Sequence, residues 1–146
     1  MFRTAVLTVL IAGALVPLSA QRADNPFASV EAFSCSFPVF SVARWENGEP
    51  ALRTGSDDFA FRIEDIDLRR RRAVFVATGS VPVTATATPT SVNFIEQTPD
   101  GNFVLTTIFA STVSADTHYA VHARHLGDPG GAPSASQFHG TCTAED

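Results

Sequence analysis

The 146-residue chain contains no lysine, and all ten of its basic side chains are arginine. Fifteen acidic residues set against them give a formal net charge of −5. A chain of that sign lacks the cationic surface from which nucleic-acid binders draw most of their affinity, so no nucleic-acid partner is expected. Beyond residue 20 there is no apolar run of the roughly 20 residues that a membrane-crossing helix needs. Asn-x-Ser/Thr glycan acceptors, a G-x-S-x-G nucleophile turn and a glycine-rich phosphate loop with its lysine are all missing. So are helical periodicity and internal repeats. Tryptophan and tyrosine occur once each, whereas there are twelve phenylalanines. With 45% hydrophobic and 17% charged residues, the chain can bury a dry core and is not a disordered polymer.

The N-terminus has the layout of a secretory signal peptide over residues 1–20. Arg3 supplies the positive start. Ala5 to Leu18 form an apolar stretch broken only by Thr8, Gly13 and Pro17, and Leu18-Ser19-Ala20 offers small residues before a cut at Gln21. The expected organisation is therefore a signal peptide over 1–20, a lead-in over 21–30 and a single domain over 31–146. The destination is the periplasm or the exterior, since absent lysine with abundant Ala, Arg, Val and Thr suits a GC-rich bacterial gene. The two cysteines, Cys35 and Cys142, are then expected to form one disulfide. It would tie the first strand to the last across a loop of about 100 residues, worth about 4–5 kcal/mol in chain entropy. Two cysteines without CxxC spacing make a metal site the weaker choice.

Two-residue alternation dominates from residue 31 onward. Phe33, Cys35 and Phe37 share one parity, and Phe59, Phe61 and Ile63 alternate with Ala60, Arg62 and Glu64. Ala73 to Ala77 is apolar on both faces, as a central strand would be. In Val81 to Ala87, Pro82 cannot donate a ladder hydrogen bond, which places that strand at an edge or a bulge. Val92 to Ile95 and Phe103 to Phe109 flank Thr98-Pro99-Asp100-Gly101-Asn102, the clearest hairpin in the chain. Further turn signals fall at Asn47-Gly48, Thr54 to Asp58, Gly79-Ser80 and Gly127 to Pro133, and Phe138 to Cys142 makes a last short strand. The fold class is all-β: a single small antiparallel β-barrel or β-sandwich of about seven to nine short strands. Residues 115–126 permit either a short helix or a strand, and Tyr119-x-Val121 favours the strand.

All four histidines, His118, His122, His125 and His139, lie in the last third. On a helix, His118, His122 and His125 would line one face and adjacent members could chelate a transition metal. On a strand, His118 and His122 share a face but stand roughly 13 Å apart, too far to hold one ion. No cofactor is expected, and a metal on these four histidines is the alternative. Arg69 to Arg72 reads as a solvated hairpin tip neutralised by Glu64, Asp65 and Asp67. Asp57, Asp58 and the carboxylates at 64–67 match neither a calcium loop nor a catalytic pair.

Three functions fit this sequence. The first is a secreted or periplasmic binding module without catalysis, holding a small apolar ligand or an envelope component near His118, Tyr119, His122 and Arg124. The second is an envelope structural or interaction protein acting through a sheet edge or the Arg69–Arg72 tip. The third is a small metal-dependent enzyme using the C-terminal histidines.

Overall fold

The computed structural model describes residues 25–127 and 130–145. Eight strands follow one another in a meander: β1 (Ala32–Glu46), β2 (Glu49–Asp67), β3 (Arg72–Val76), β4 (Ser80–Ala87), β5 (Ser91–Gln97), β6 (Phe103–Ser114), β7 (Thr117–Leu126) and β8 (Ser134–Glu145). Every neighbouring pair is antiparallel, and β8 returns to pair with β1, so the sheet closes into a barrel. Closure resolves the choice between barrel and sandwich. It also gives every strand a neighbour on both sides, although the β2–β3 register begins only at Arg62.

The turns follow their residue chemistry. Asn47 and Gly48 both take positive φ, 53° and 85°, which is the two-residue turn that matches strand twist. In the hairpin at 98–102, Gly101 sits at φ 87°, and the Thr98 and Asn102 backbones close the loop at 3.0 Å. Pro82 lies in the part of β4 that β5 does not reach, because their register begins at Thr84. At the Arg69–Arg72 tip, Asp67 accepts from Arg70 at 2.9 Å and holds Arg72 at 3.9 Å. These contacts keep the Asp67 carboxyl below its usual range, the bonds from Arg70 contributing most.

One segment differs from expectation. Thr54 to Asp58 carries turn residues, yet β2 runs straight through it. Its partners on β1, Val39 to Ser41, hold it extended, and a register shift between Phe37 and Val39 absorbs the mismatch. Residues 25–30, the described part of the lead-in, pack against the barrel. A turn at Asn25 to Ala28, with the Asn25 side chain accepting from the Phe27 N–H, drives Phe27 into one end of the barrel. Its ring meets Phe33 at 5.8 Å and is almost wholly buried. Residues 1–20, the proposed signal peptide, lie outside the described residues.

The core is the inside of the ring. Phe33, Phe37, Ile63, Val92 and Ile108 are fully buried, and Phe61 stacks on Phe37 at 5.2 Å. Cys35 and Cys142 are direct register partners on β1 and β8 and form a disulfide, the cross-link expected of an oxidising compartment. On the outer wall, Arg62 binds Glu145 at 2.7 Å and Glu64 at 2.8 Å, joining β2 to β8 across β1.

Candidate functional site

Strand β7 presents Ala120 and His122 to the interior, and Arg124 follows them on the same parity at the mouth opposite Phe27. The neighbouring strands complete two layers. In the deeper one, register pairing aligns Phe94, Thr106, His122, Phe138, Phe40 and Gly55. Gly55 is bare for a reason: a Cβ there would stand 2.9 Å from the Phe40 ring. The layer above it, at the rim, aligns Glu96, Val104, Arg124, Ser136, Val42 and Arg53.

A short polar chain runs through this aromatic interior. Arg124 Nε donates to His122 Nε2 at 2.9 Å, and His122 Nδ1 lies 2.9 Å from Thr106 Oγ1. A guanidinium has no acceptor, so Nε2 carries the lone pair, the ring hydrogen sits on Nδ1, and Nδ1 donates to Thr106. His122 and Thr106 are both buried, and each has its partner. The rings of Phe59 and Phe61 flank the imidazole at 5.2 Å each, with Phe37, Phe75 and Phe138 slightly further out.

The guanidinium of Arg124 rests on this aromatic interior. Its central carbon is 4.5 Å from the centre of the Phe59 ring and 5.0 Å from that of Phe138. The two ring centres are themselves 4.9 Å apart. Three nearly equal distances make a triangle, so both rings lie on one side of the cation and form a floor beneath it. Burial pulls the guanidinium below its usual pKa, and the charges of Asp57 and Glu96 partly offset this. Neither carboxylate is an ion-pair partner of Arg124 among the described residues.

Burial, reinforced by the charge of Arg124, pushes the His122 pKa down to about 3. An unfolded imidazole titrates near 6.5. Between these values the unfolded chain binds more protons, so the contribution of His122 to stability is complete above pH ~6.5 and is lost as pH falls toward 3. The loss reaches about 5 kcal/mol at its limit. Urea unfolding of wild type and His122→Gln at pH 7.5, 6, 5 and 4 reads it out. The wild-type midpoint should fall more steeply than that of the variant, and parallel profiles would refute the assignment.

The other sequence candidates are dispersed. Tyr119 lies on the opposite face of β7, 51% exposed on the outer wall, and does not join His122 and Arg124. His118 shares their parity but sits at the Phe27 end, its ring 5.1 Å from that of Phe27 and its Nδ1 3.0 Å from the Phe109 carbonyl. His125 is exposed beside Phe103, and His139 is exposed on β8. Because 117–126 is a strand, the helical spacing that would have gathered three histidines does not arise. Among the described residues, no three His, Cys, Asp or Glu side chains converge to hold a metal. The sequence reading missed Thr106, Phe59, Phe138 and Glu96 as members of the mouth, and register across four strands is what brings them there.

No protein family, curated protein or solved structure matches the chain. The functional reading therefore rests on the mouth itself.

Proposed function

We propose that this protein is an exported, non-catalytic binding module whose mouth holds a small, largely apolar ligand. Export follows from the signal-peptide layout of residues 1–20 and accords with the disulfide; the periplasm or the exterior is the destination. The observation that carries the reading is the half-buried Arg124, laid on the Phe59–Phe138 floor and anchored to His122, in a rim that pairs the apolar Val42 and Val104 with Ser136, Glu96 and Arg53. A fixed polar anchor set against aromatic and aliphatic side chains is the usual composition of a small-molecule site. Among the described residues, the mouth places no nucleophile beside a free base, because both His122 nitrogens are already engaged.

The test uses protein exported to an oxidising compartment and purified without chelator or affinity histidines. Native mass spectrometry should show a retained small-molecule adduct, or the neutral fluorophore N-phenyl-1-naphthylamine should bind saturably at one per chain. At tenfold excess over its dissociation constant the fluorophore should raise the melting temperature by about 5 °C. A bare protein that binds no fluorophore would refute the reading.

One observation favours attachment to another protein as a second reading. From Glu49 to Phe61, β2 has no strand partner on its β3 side among the described residues, since the β2–β3 register begins only at Arg62. That stretch is a free sheet edge of the kind an added strand can pair with.

A further inference from the structure

We infer that the ligand of the mouth carries a carboxylate on a short apolar body, and that Arg124 receives the carboxylate; this rests on the binding reading above. A guanidinium offers five N–H donors. His122 takes the one on Nε, and Nη1 and Nη2 make no hydrogen bond or ion pair among the described residues. Phe59 and Phe138 both lie on one side of the cation. The donors left open lie in the plane of the group, where a planar carboxylate accepts two of them side by side. The bond to His122 and the aromatic floor hold the side chain in place before any ligand arrives, so little freedom remains to be lost on binding.

The surrounding charge selects among anions. Asp57 and Glu96 act on Arg124 without pairing with it. A second ligand charge doubles their repulsion and also the attraction to Arg124. Two carboxylates act there on one guanidinium, Arg53 being paired with Glu46 at 2.6 Å, so the balance favours a singly charged carboxylate over a doubly charged phosphate monoester. The depth of the site limits the body of the ligand. Phe37 beneath the floor is completely buried and Phe94 nearly so, which leaves the half-buried Phe40, Val42 and Val104 as the surface a short chain can cover.

The probes are octanoate, 1-octanol and octyl phosphate, titrated calorimetrically into the full protein at pH 7.5. Octanoate should bind at least about tenfold more tightly than 1-octanol, the difference expected of charge-assisted hydrogen bonds, and more tightly than octyl phosphate. Arg124→Gln should erase the preference for octanoate over 1-octanol, and Arg124→Lys should lose most of it. Arg70→Gln, at the far hairpin tip, should leave it unchanged. Nuclear Overhauser contacts in the wild type, from the octanoate methylene next to the carboxylate to the Phe59 and Phe138 rings, test the site even if the Arg124 variants do not fold. Equal affinity for octanoate and 1-octanol, a preference for octyl phosphate, or contacts elsewhere would each overturn the inference while leaving an apolar binding module standing. Failure of all three probes and of the neutral fluorophore would remove the binding reading itself.

Discussion

Replacing Cys35 and Cys142 together with alanine should lower the unfolding free energy by about 4–5 kcal/mol, a large share of what a domain of this size possesses. The two residues are separated by 107 positions, so the bridge removes a long loop's worth of freedom from the unfolded chain. The folded state should change little. Cys35 and Cys142 face each other within a β1–β8 ladder that runs from Ala32 to Arg44, and its hydrogen bonds close the ring without the covalent link. Alanine is the right replacement because both sulfurs are buried, and serine would add an unpaired hydroxyl. Urea unfolding with and without reductant checks the prediction. Reductant should bring the wild-type midpoint down to that of the variant and leave the variant unmoved; a wild type indifferent to reductant would sink it.

Gly140→Ala should cost about 3 kcal/mol or more and lower the melting temperature by about 10 °C or more. A Cβ at Gly140 would stand 1.9 Å from the Ser36 carbonyl oxygen and 2.7 Å from the Phe37 Cα. Both are backbone atoms, so no rotamer change relieves the clash. The cause is the irregularity in β1 between Ser36 and Val39, which brings the extra residue of that strand down onto β8. Moving β1 away would unseat Phe37 from its stack on Phe61. Gly79→Ala is the control, because a Cβ there meets nothing within 4 Å, and it should shift the midpoint by less than about 1 kcal/mol. Equal melting temperatures for the two variants would show that the β1 backbone yields more readily than its contacts imply.

Much of the frame was legible because period-two patterning is local. The Phe33-Cys35-Phe37 and Phe59-Phe61-Ile63 rows both face inward as their parity implies, and the hairpins at Asn47-Gly48 and 98–102 lie where glycine and asparagine permit positive φ. The continuity of β2 through Thr54-Gly55-Ser56-Asp57-Asp58 was not legible. There the local turn preference loses to pairing with β1, a partner some fifteen residues away in sequence. The mouth was harder still. On β7 the more apolar row, Tyr119, Val121 and Ala123, faces outward, and the row carrying His122 and Arg124 faces inward. Hydropathy alone points that strand the wrong way. Its inward row is tolerated because Thr106 on β6 answers His122, and His122 answers Arg124, so that two buried polar groups cancel each other's desolvation. Only the register between β6 and β7 shows that Thr106 stands opposite His122.

The ring is uneven around its circumference. β1, β2 and β6 to β8 have ten to nineteen residues each, whereas β3 has five and shares only a short register with β2, and β4 shares only Thr84 to Ala87 with β5. The disulfide lies in the long-stranded half and so reinforces the wall that hydrogen bonds already hold best. Local unfolding then has a preferred direction: the β3–β4 hairpin can detach as a unit while the two ends of the chain stay linked and the polar chain of β6 and β7 stays intact. Such an opening would uncover Phe75 and one side of the aromatic interior without dismantling the wall that carries Arg124. In this fold the cross-link sets how far the whole chain can spread, and the short strands set how often its interior meets solvent.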